Sequence, residues 1–392
     1  MKVQEASNII PLSVPQLGGN EWAYLKECLD TGWVSSVGPF VDRFERGIAD
    51  YVGAAHAVAV ASGTAGLQIA LHVAGVRPED EVLVSDLTFI APVNAIRYGR
   101  AHPVFVDADP QTWQMDVGKA ERFLREGCEV RDGTCWNRKT GRRVTAILPV
   151  HILGLACAMH RVMELARRFH LRVVEDAAEA IGVRYQGRHT GTFGDLGVLS
   201  FNGNKTLTCG GGGMIVTDVP GHARRARYLT TQAKDDEREY IHHEVGYNYR
   251  LTNLQAAVGV AQLEQIEPFL ERKRRIASTY EEAFRDLPGL TRMPVPPDTE
   301  PTYWLYTVLL REGITVEERK AFLEKLQADG IGARPLWHPI HRLLPYRQEQ
   351  AIEIEAADRL YARAVSLPSS VGLDEADQRR CIEAVLRHIG SV

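Results

Sequence analysis

Apolar residues in the first two-thirds of the chain come in short unbroken runs separated by helical text. Residues 57–61, 81–85, 103–106, 144–150 and 171–174 read as strands: brief, rich in Val, Ile and Ala, and bounded by polar or turn residues. Between them, 65–74, 91–98 and 159–169 carry the helical period. In the last of these Met159, Val162, Met163, Ala166 and Phe169 fall on one face. Two further strands, 196–201 and 214–217, stand close together and predict a partly antiparallel pairing. Strands alternating with helices predict a mainly parallel sheet covered on both faces.

The pattern changes near residue 252. Thr252 and Gln255 form a capping box that opens a helix, and helical text runs to about 284 with one interruption at Pro268. Pro294, Pro296 and Pro297 read as a connector. A strand at 303–310 follows, then a helix capped by Thr315 with Glu318 and ended by Gly330. Residues 331–336 read as a strand, and 351–364 and 375–388 as helices. A chain of 392 residues exceeds one ordinary core. The expected organisation is an N-terminal arm and large α/β domain over 1–268, then a small α+β domain over 269–392.

Composition changes this picture little. Hydrophobic content of 45%, charged content of 24% and a net charge of −4 describe an ordinary globular enzyme. They offer no basic surface for nucleic acid or an anionic membrane. No run reaches the roughly 18 apolar residues of a membrane span, and the opening residues lack a secretory pattern. The six cysteines are scattered with no CxxC pair, as expected for free thiols in a reducing cytoplasm. Cys128 and Cys135 flank Asp132-Gly133, which reads as a hairpin turn. A metal clip there would lack a second ligand pair, so no metal site is expected.

Four motifs carry candidate chemistry. Ser62-Gly63-Thr64 lies between a strand and a helix, where free N–H groups and the helix dipole hold phosphate. A plain strand-to-helix turn with a Thr cap explains it equally well. The strand before Glu175-Asp176 ends in carboxylates, at the edge where open α/β sheets bind ligands. Asp176 there either holds a pyridine nitrogen protonated or caps the next turn. Lys205 stands among small polar residues after Ser200 and just before Gly210–Gly213. A lone lysine is usually a solvated charge, but a cramped, partly desolvated site frees its amine for Schiff-base chemistry. The glycine run lacks GxGxxG spacing and precedes a strand, so a dinucleotide loop is rejected. Gly246-Tyr247-Asn248-Tyr249-Arg250, at a helix entry, reads first as packing.

Taken in order, these motifs resemble the DegT/DnrJ/EryC1/StrS sugar aminotransferases. The resemblance spans nearly the whole chain, from Thr31–Gly38 and Phe44-Glu45 through Ser62–Thr64, Thr88-Phe89, Val150-His151 with Gly154, Glu175–Glu179 and Ser200–Lys205 to Gly246–Arg250 and Arg334–His341. It implies the fold type I pyridoxal 5'-phosphate (PLP) architecture of aspartate aminotransferase. It also implies roles. Lys205 would form the Schiff base and Asp176 would pair with the pyridine nitrogen. Glu179, where other members often carry Gln or His, would sit near the 3-hydroxyl. Phe89 would stack on the ring, and Gly63, Thr64 and Ser200 would hold the phosphate. Asn248 would reach the neighbouring subunit's cofactor phosphate, which implies a homodimer with shared active sites. Trp33, Lys234, Arg250, Arg334 and His338 would contact the substrate, although a structural histidine explains His338 and His341 as well.

The implied reaction is a ping-pong transamination through pyridoxamine 5'-phosphate. L-Glutamate leaves as 2-oxoglutarate, and C4 of a nucleotide-linked 4-keto-6-deoxy sugar is aminated for a surface polysaccharide. Residues 230–236, the Gly210–Gly213 run and the insert near 128–143 look most like the branch acting on UDP-linked 2-acetamido sugars in legionaminic-acid and related pathways. GDP-perosamine synthases are similar but commonly carry Gly-Glu-Gly-Gly at the glycine run, where this chain has Gly211. A sugar dehydratase of the same fold would place His at the lysine, and a non-catalytic sensor need not keep lysine, aspartate and phosphate loop together.

Overall fold

The computed structural model describes residues 9–236 and 238–390. Its main element is a ten-stranded sheet. Across it run His56–Val60, Gly213–Thr217, Leu196–Ser200, Arg172–Asp176, Arg143–Leu148, Glu81–Ser85, His102–Val106 and Gln350–Ile352. Gly213–Thr217 is antiparallel to both neighbours, and the other pairings in that path are parallel. The hairpin Cys128–Arg131 and Thr134–Asn137 joins the start of Arg143–Leu148. Its turn is at Asp132-Gly133, both with positive φ, as the hairpin reading requires.

The unbroken apolar runs follow from burial on both faces. Val58 and Val60 enter one hydrophobic cluster while Ala57 and Ala59 enter the other. Val82 and Val84 part from Leu83 in the same way. Helix Gly63–Val73 packs on the first face, and Met159–Phe169 covers the second with Met159, Val162, Leu165, Ala166 and Phe169 buried.

A second, antiparallel sheet runs Leu290–Thr291, Tyr306–Leu310, Ala364–Leu367, Arg334–Pro335. Helices Val316–Ala328 and Glu375–Ile389 pack against each other beside it, and the first cluster continues into it. Both capping boxes, Thr252 with Gln255 and Thr315 with Glu318, are formed.

Three expectations need correction. The helical text after 252 breaks at Glu264-Gln265, not at Pro268. Pro268 lies in the first turn of Ile266–Ala283, where a missing N–H costs no helical bond. Residues 350–352 pair parallel with His102–Val106, and the helix begins only at Ala356. The strand expected over 331–336 is reduced to Arg334–Pro335, because Ile331 pairs instead with Ile10 of the N-terminal segment.

Candidate active site

The loops leaving the carboxyl ends of the parallel strands converge on a cavity of about 410 Å³. Ser62, Gly63 and Thr64 follow the first strand, Thr88 and Phe89 the strand Glu81–Ser85, and Val150 the strand Arg143–Leu148. Asp176 and Ser200 are the last residues of their strands, and Glu179, Asn202, Asn204 and Lys205 lie just beyond.

At one end is an anion cradle. Ser62 Oγ accepts from the Ala65 N–H at 3.1 Å, so Ser62, not Thr64, caps helix Gly63–Val73. Thr64 faces the cavity beside the helix N-terminus. Ser200 stands so close that a Cβ on Gly63 would meet its Cβ at 3.0 Å and its Oγ at 3.2 Å. Gly63→Ala should therefore displace the Ser200 hydroxyl and weaken cofactor affinity about tenfold, the loss of one charge-assisted bond. A PLP titration against wild type checks this; equal affinity would remove Ser200 from the cradle.

Two buried carboxyls face this cradle within the same cavity. Asp176 is 3% exposed, and its Oδ1 accepts the Ala178 N–H at 3.0 Å. Burial pushes its carboxyl above the usual range, and the Ala178 N–H and Lys205 pull it back. The His151 backbone N–H donates to the Asp176 carbonyl at 3.0 Å. Cys157 N–H donates to the His151 Nδ1 at 3.1 Å, so its proton is on Nε2, 3.0 Å from Glu175. Glu175 also accepts from the Gly191 and Gly194 N–H groups, which rigidifies the strand carrying Asp176.

Glu179 is raised by burial as well, with Lys205 opposing. Its Oε1 lies 3.3 Å from Lys205 Nζ and its Oε2 accepts the Leu153 N–H at 2.9 Å. Leu153 has φ 62°, costly for a branched side chain, and this bond helps to hold it there. Phe89 forms an open wall, 55% exposed.

Trp33, Lys234, Asn248, Arg250, Arg334 and His338 are not among the residues lining this cavity. The Trp33 carbonyl accepts from Asn253, Lys234 lies 5.7 Å from the Tyr240 ring, and exposed Asn248 bridges to Thr231. Arg334 is exposed on its short strand, and the His338 ring packs 5.0 Å from Tyr361. His341 pairs with buried Asp86, Nδ1 to Oδ2 at 2.8 Å. Sequence reasoning missed Trp304 and Trp337, which close the cavity from the C-terminal part. A Trp beside an apolar run reads as core, and only the fold brings these two to Lys205.

An amine that can bond an aldehyde, a buried acid beyond it and a cradle for phosphate are what PLP needs, and the residues fit it. Fold and site define a PLP-dependent enzyme of fold type I. The chain belongs to the DegT/DnrJ/EryC1/StrS aminotransferase family, which it matches over residues 15–386. It is 40% identical over 377 residues to GDP-perosamine synthase of Caulobacter vibrioides, covering 96% of this chain and 97% of that protein. The GDP-perosamine synthase of Escherichia coli O157:H7 is 39% identical over 360 residues, covering 92% and 93%. Among solved structures, DesV of S. venezuelae has a TM-score of 0.85 at 32% identity, covering 97% of this chain and 100% of that one. An aminotransferase of the family from Brucella abortus gives 0.86 at 30%, covering 95% of each. The activity is therefore amination of a sugar, as the sequence resemblance implied.

Proposed function

We propose that the protein transfers the amino group of L-glutamate to C4 of a nucleotide-linked 4-keto-6-deoxy sugar, with GDP as the nucleotide. The observation that carries the chemistry is Lys205 Nζ, 3.3 Å from Glu179 and in one cavity with Asp176 and the Ser62–Thr64 cradle. When bound, PLP supplies a carbonyl that exchanges oxygen for an amino group and a ring that takes up an electron pair. Gly63, Thr64 and Ser200 would bind its phosphate, and Phe89 would cover one ring face. Asp176 would keep a proton on the ring nitrogen. Lys205 Nζ removes the proton from the donor's α-carbon and, in the reverse half, delivers one to the sugar carbon.

The GDP assignment follows the perosamine synthases named above. A UDP-linked 2-acetamido sugar, the first expectation from the sequence, is the second reading. Gly211 favours it: this residue lines the cavity, and a Cβ there would stand 3.2 Å from Gln255 Nε2. The larger Glu of typical perosamine synthases would reshape that wall.

We assign the active unit as a homodimer. Asn248 is exposed outside its own chain's cavity, and Trp22 (78%), Leu29 (63%) and Val245 (83%) are exposed apolar groups that a partner would cover. Trp33, Lys234, Arg250, Arg334 and His338 are assigned to the sugar nucleotide across that boundary. The large body, 1–268, would hold the cofactor, and the small body, 269–392, would cover it. The six cysteines are free and buried, in keeping with a reducing cytoplasm, and no described helix is long and apolar enough to cross a membrane.

The test is a panel of GDP- and UDP-linked 4-keto-6-deoxy sugars assayed with L-glutamate. The GDP sugar should be preferred by at least about tenfold in kcat/KM. The opposite order would transfer the assignment to the UDP sugar, and no turnover of any keto sugar would sink both.

A further inference from the structure

Trp304 reaches the cavity on the segment that enters strand Tyr306–Leu310, and it is fixed from three sides. Its indole N–H donates to the Asn204 carbonyl at 2.9 Å, which also accepts the Ser13 hydroxyl at 3.0 Å. Its own carbonyl accepts from Lys273 Nζ at 2.6 Å, a buried amine that also donates to the Ser369 carbonyl. Its backbone lies hard against the Ile152–Gly154 turn: a Cβ on Gly154 would stand 2.5 Å from the Trp304 nitrogen. The ring so held presents its face to Lys205, with Nζ 3.8 Å from the ring centroid. The acidic groups around that amine are Glu179 and Asp176.

An indole that served only to fill the core would need no amine on its face and no bond to Asn204, the residue from which the Lys205 backbone departs. We propose that Trp304 is the seat of the catalytic amine. Its face holds the Lys205 ammonium, opposite Glu179, whenever turnover leaves that amine unbonded, and its N–H fixes the backbone from which the side chain projects. A free lysine carries four flexible carbons and would otherwise sweep the cavity. An ammonium away from water is attracted by an aromatic face, most strongly by indole. Held this way, the amine stays within reach of the carbon whose proton it moves, so Trp304 acts on the chemical step more than on substrate binding.

This proposal rests on Lys205 being the cofactor lysine, which the location of a borohydride-fixed label decides separately. The test loads the protein with pyridoxamine phosphate, which leaves the Lys205 amine free, and measures acylation by a water-soluble reagent. Labelling of the Lys205 peptide is read by mass spectrometry against exposed Lys26. Trp304→Leu should raise Lys205 labelling several-fold and lower kcat about tenfold, with KM for L-glutamate little changed. Trp304→Phe, which keeps an aromatic face but loses the N–H bond to Asn204, should lie between wild type and Trp304→Leu in both. Fluorinated tryptophans placed at position 304 alone preserve the fold, the ring shape and the N–H while weakening the face. Labelling should then climb with the number of fluorines. A flat series, or labelling of Trp304→Leu at the wild-type rate, overturns the proposal.

Discussion

Lys205→Ala loses turnover by about 10⁴-fold or more, and borohydride no longer fixes the cofactor to the protein. The size of the effect follows from the two duties of one atom. In the proposed function Nζ would be both the bonding point for the cofactor and the base that moves protons in both half-reactions. The groups around it cannot substitute. Glu179 is committed to the Leu153 N–H on its other oxygen, and Asp176 accepts from Ala178. Lys273 is buried and donates to the Trp304 and Ser369 carbonyls. The variant should fold, since Lys205 contributes one ion pair and one ring contact near the cavity. Unchanged circular dichroism with lost activity is the expected pair of results. Transamination by the variant at the wild-type rate would refute the assignment, as would borohydride labelling on any other peptide of the native protein.

Much of this arrangement was legible because it is local. Asp176 ends an apolar strand, Gly63 opens a helix, and Lys205 follows a strand, so each motif carries its own geometry. The central strands were legible to within a residue or two because burial on both faces leaves no polar alternation. The helix Pro39–Val52 carries a full signal, with Pro at its start, Phe40, Phe44, Ile48 and Val52 buried, and Gly53 at its end, yet it is absent from the elements predicted above. Glu21–Thr31 wrote almost none: only Glu21 and Cys28 are buried. What could not be read were the pairings between distant segments. Residues 350–352 have too few positions to show a period, and their partner, His102–Val106, lies far back in the chain. Trp304 and Trp337 likewise gain their meaning only from residues far earlier in the chain.

Asp176→Asn isolates charge from shape and should lower kcat about 10²- to 10³-fold, with cofactor affinity falling less. The asparagine oxygen can still accept the Ala178 N–H, so the turn after the strand should survive. What disappears is a negative charge in a place where burial opposes it. A carboxylate kept there must be held by cations. Lys205 is the cation that pulls the Asp176 carboxyl down, beside the Ala178 N–H. The His151 ring, whose Nδ1 accepts from Cys157, supplies a polarised N–H to Glu175 in place of a full charge. With the cofactor bound, a protonated ring nitrogen would be the counter-charge to Asp176, and the two would protect each other's ionisation. An amide in its place would offer that nitrogen no such protection, so both half-reactions should slow. The loss should therefore appear equally in single-turnover rates with L-glutamate and with the keto sugar. A large loss in only one half-reaction would instead point to a role in binding that substrate, and an unchanged rate would remove Asp176 from the chemistry.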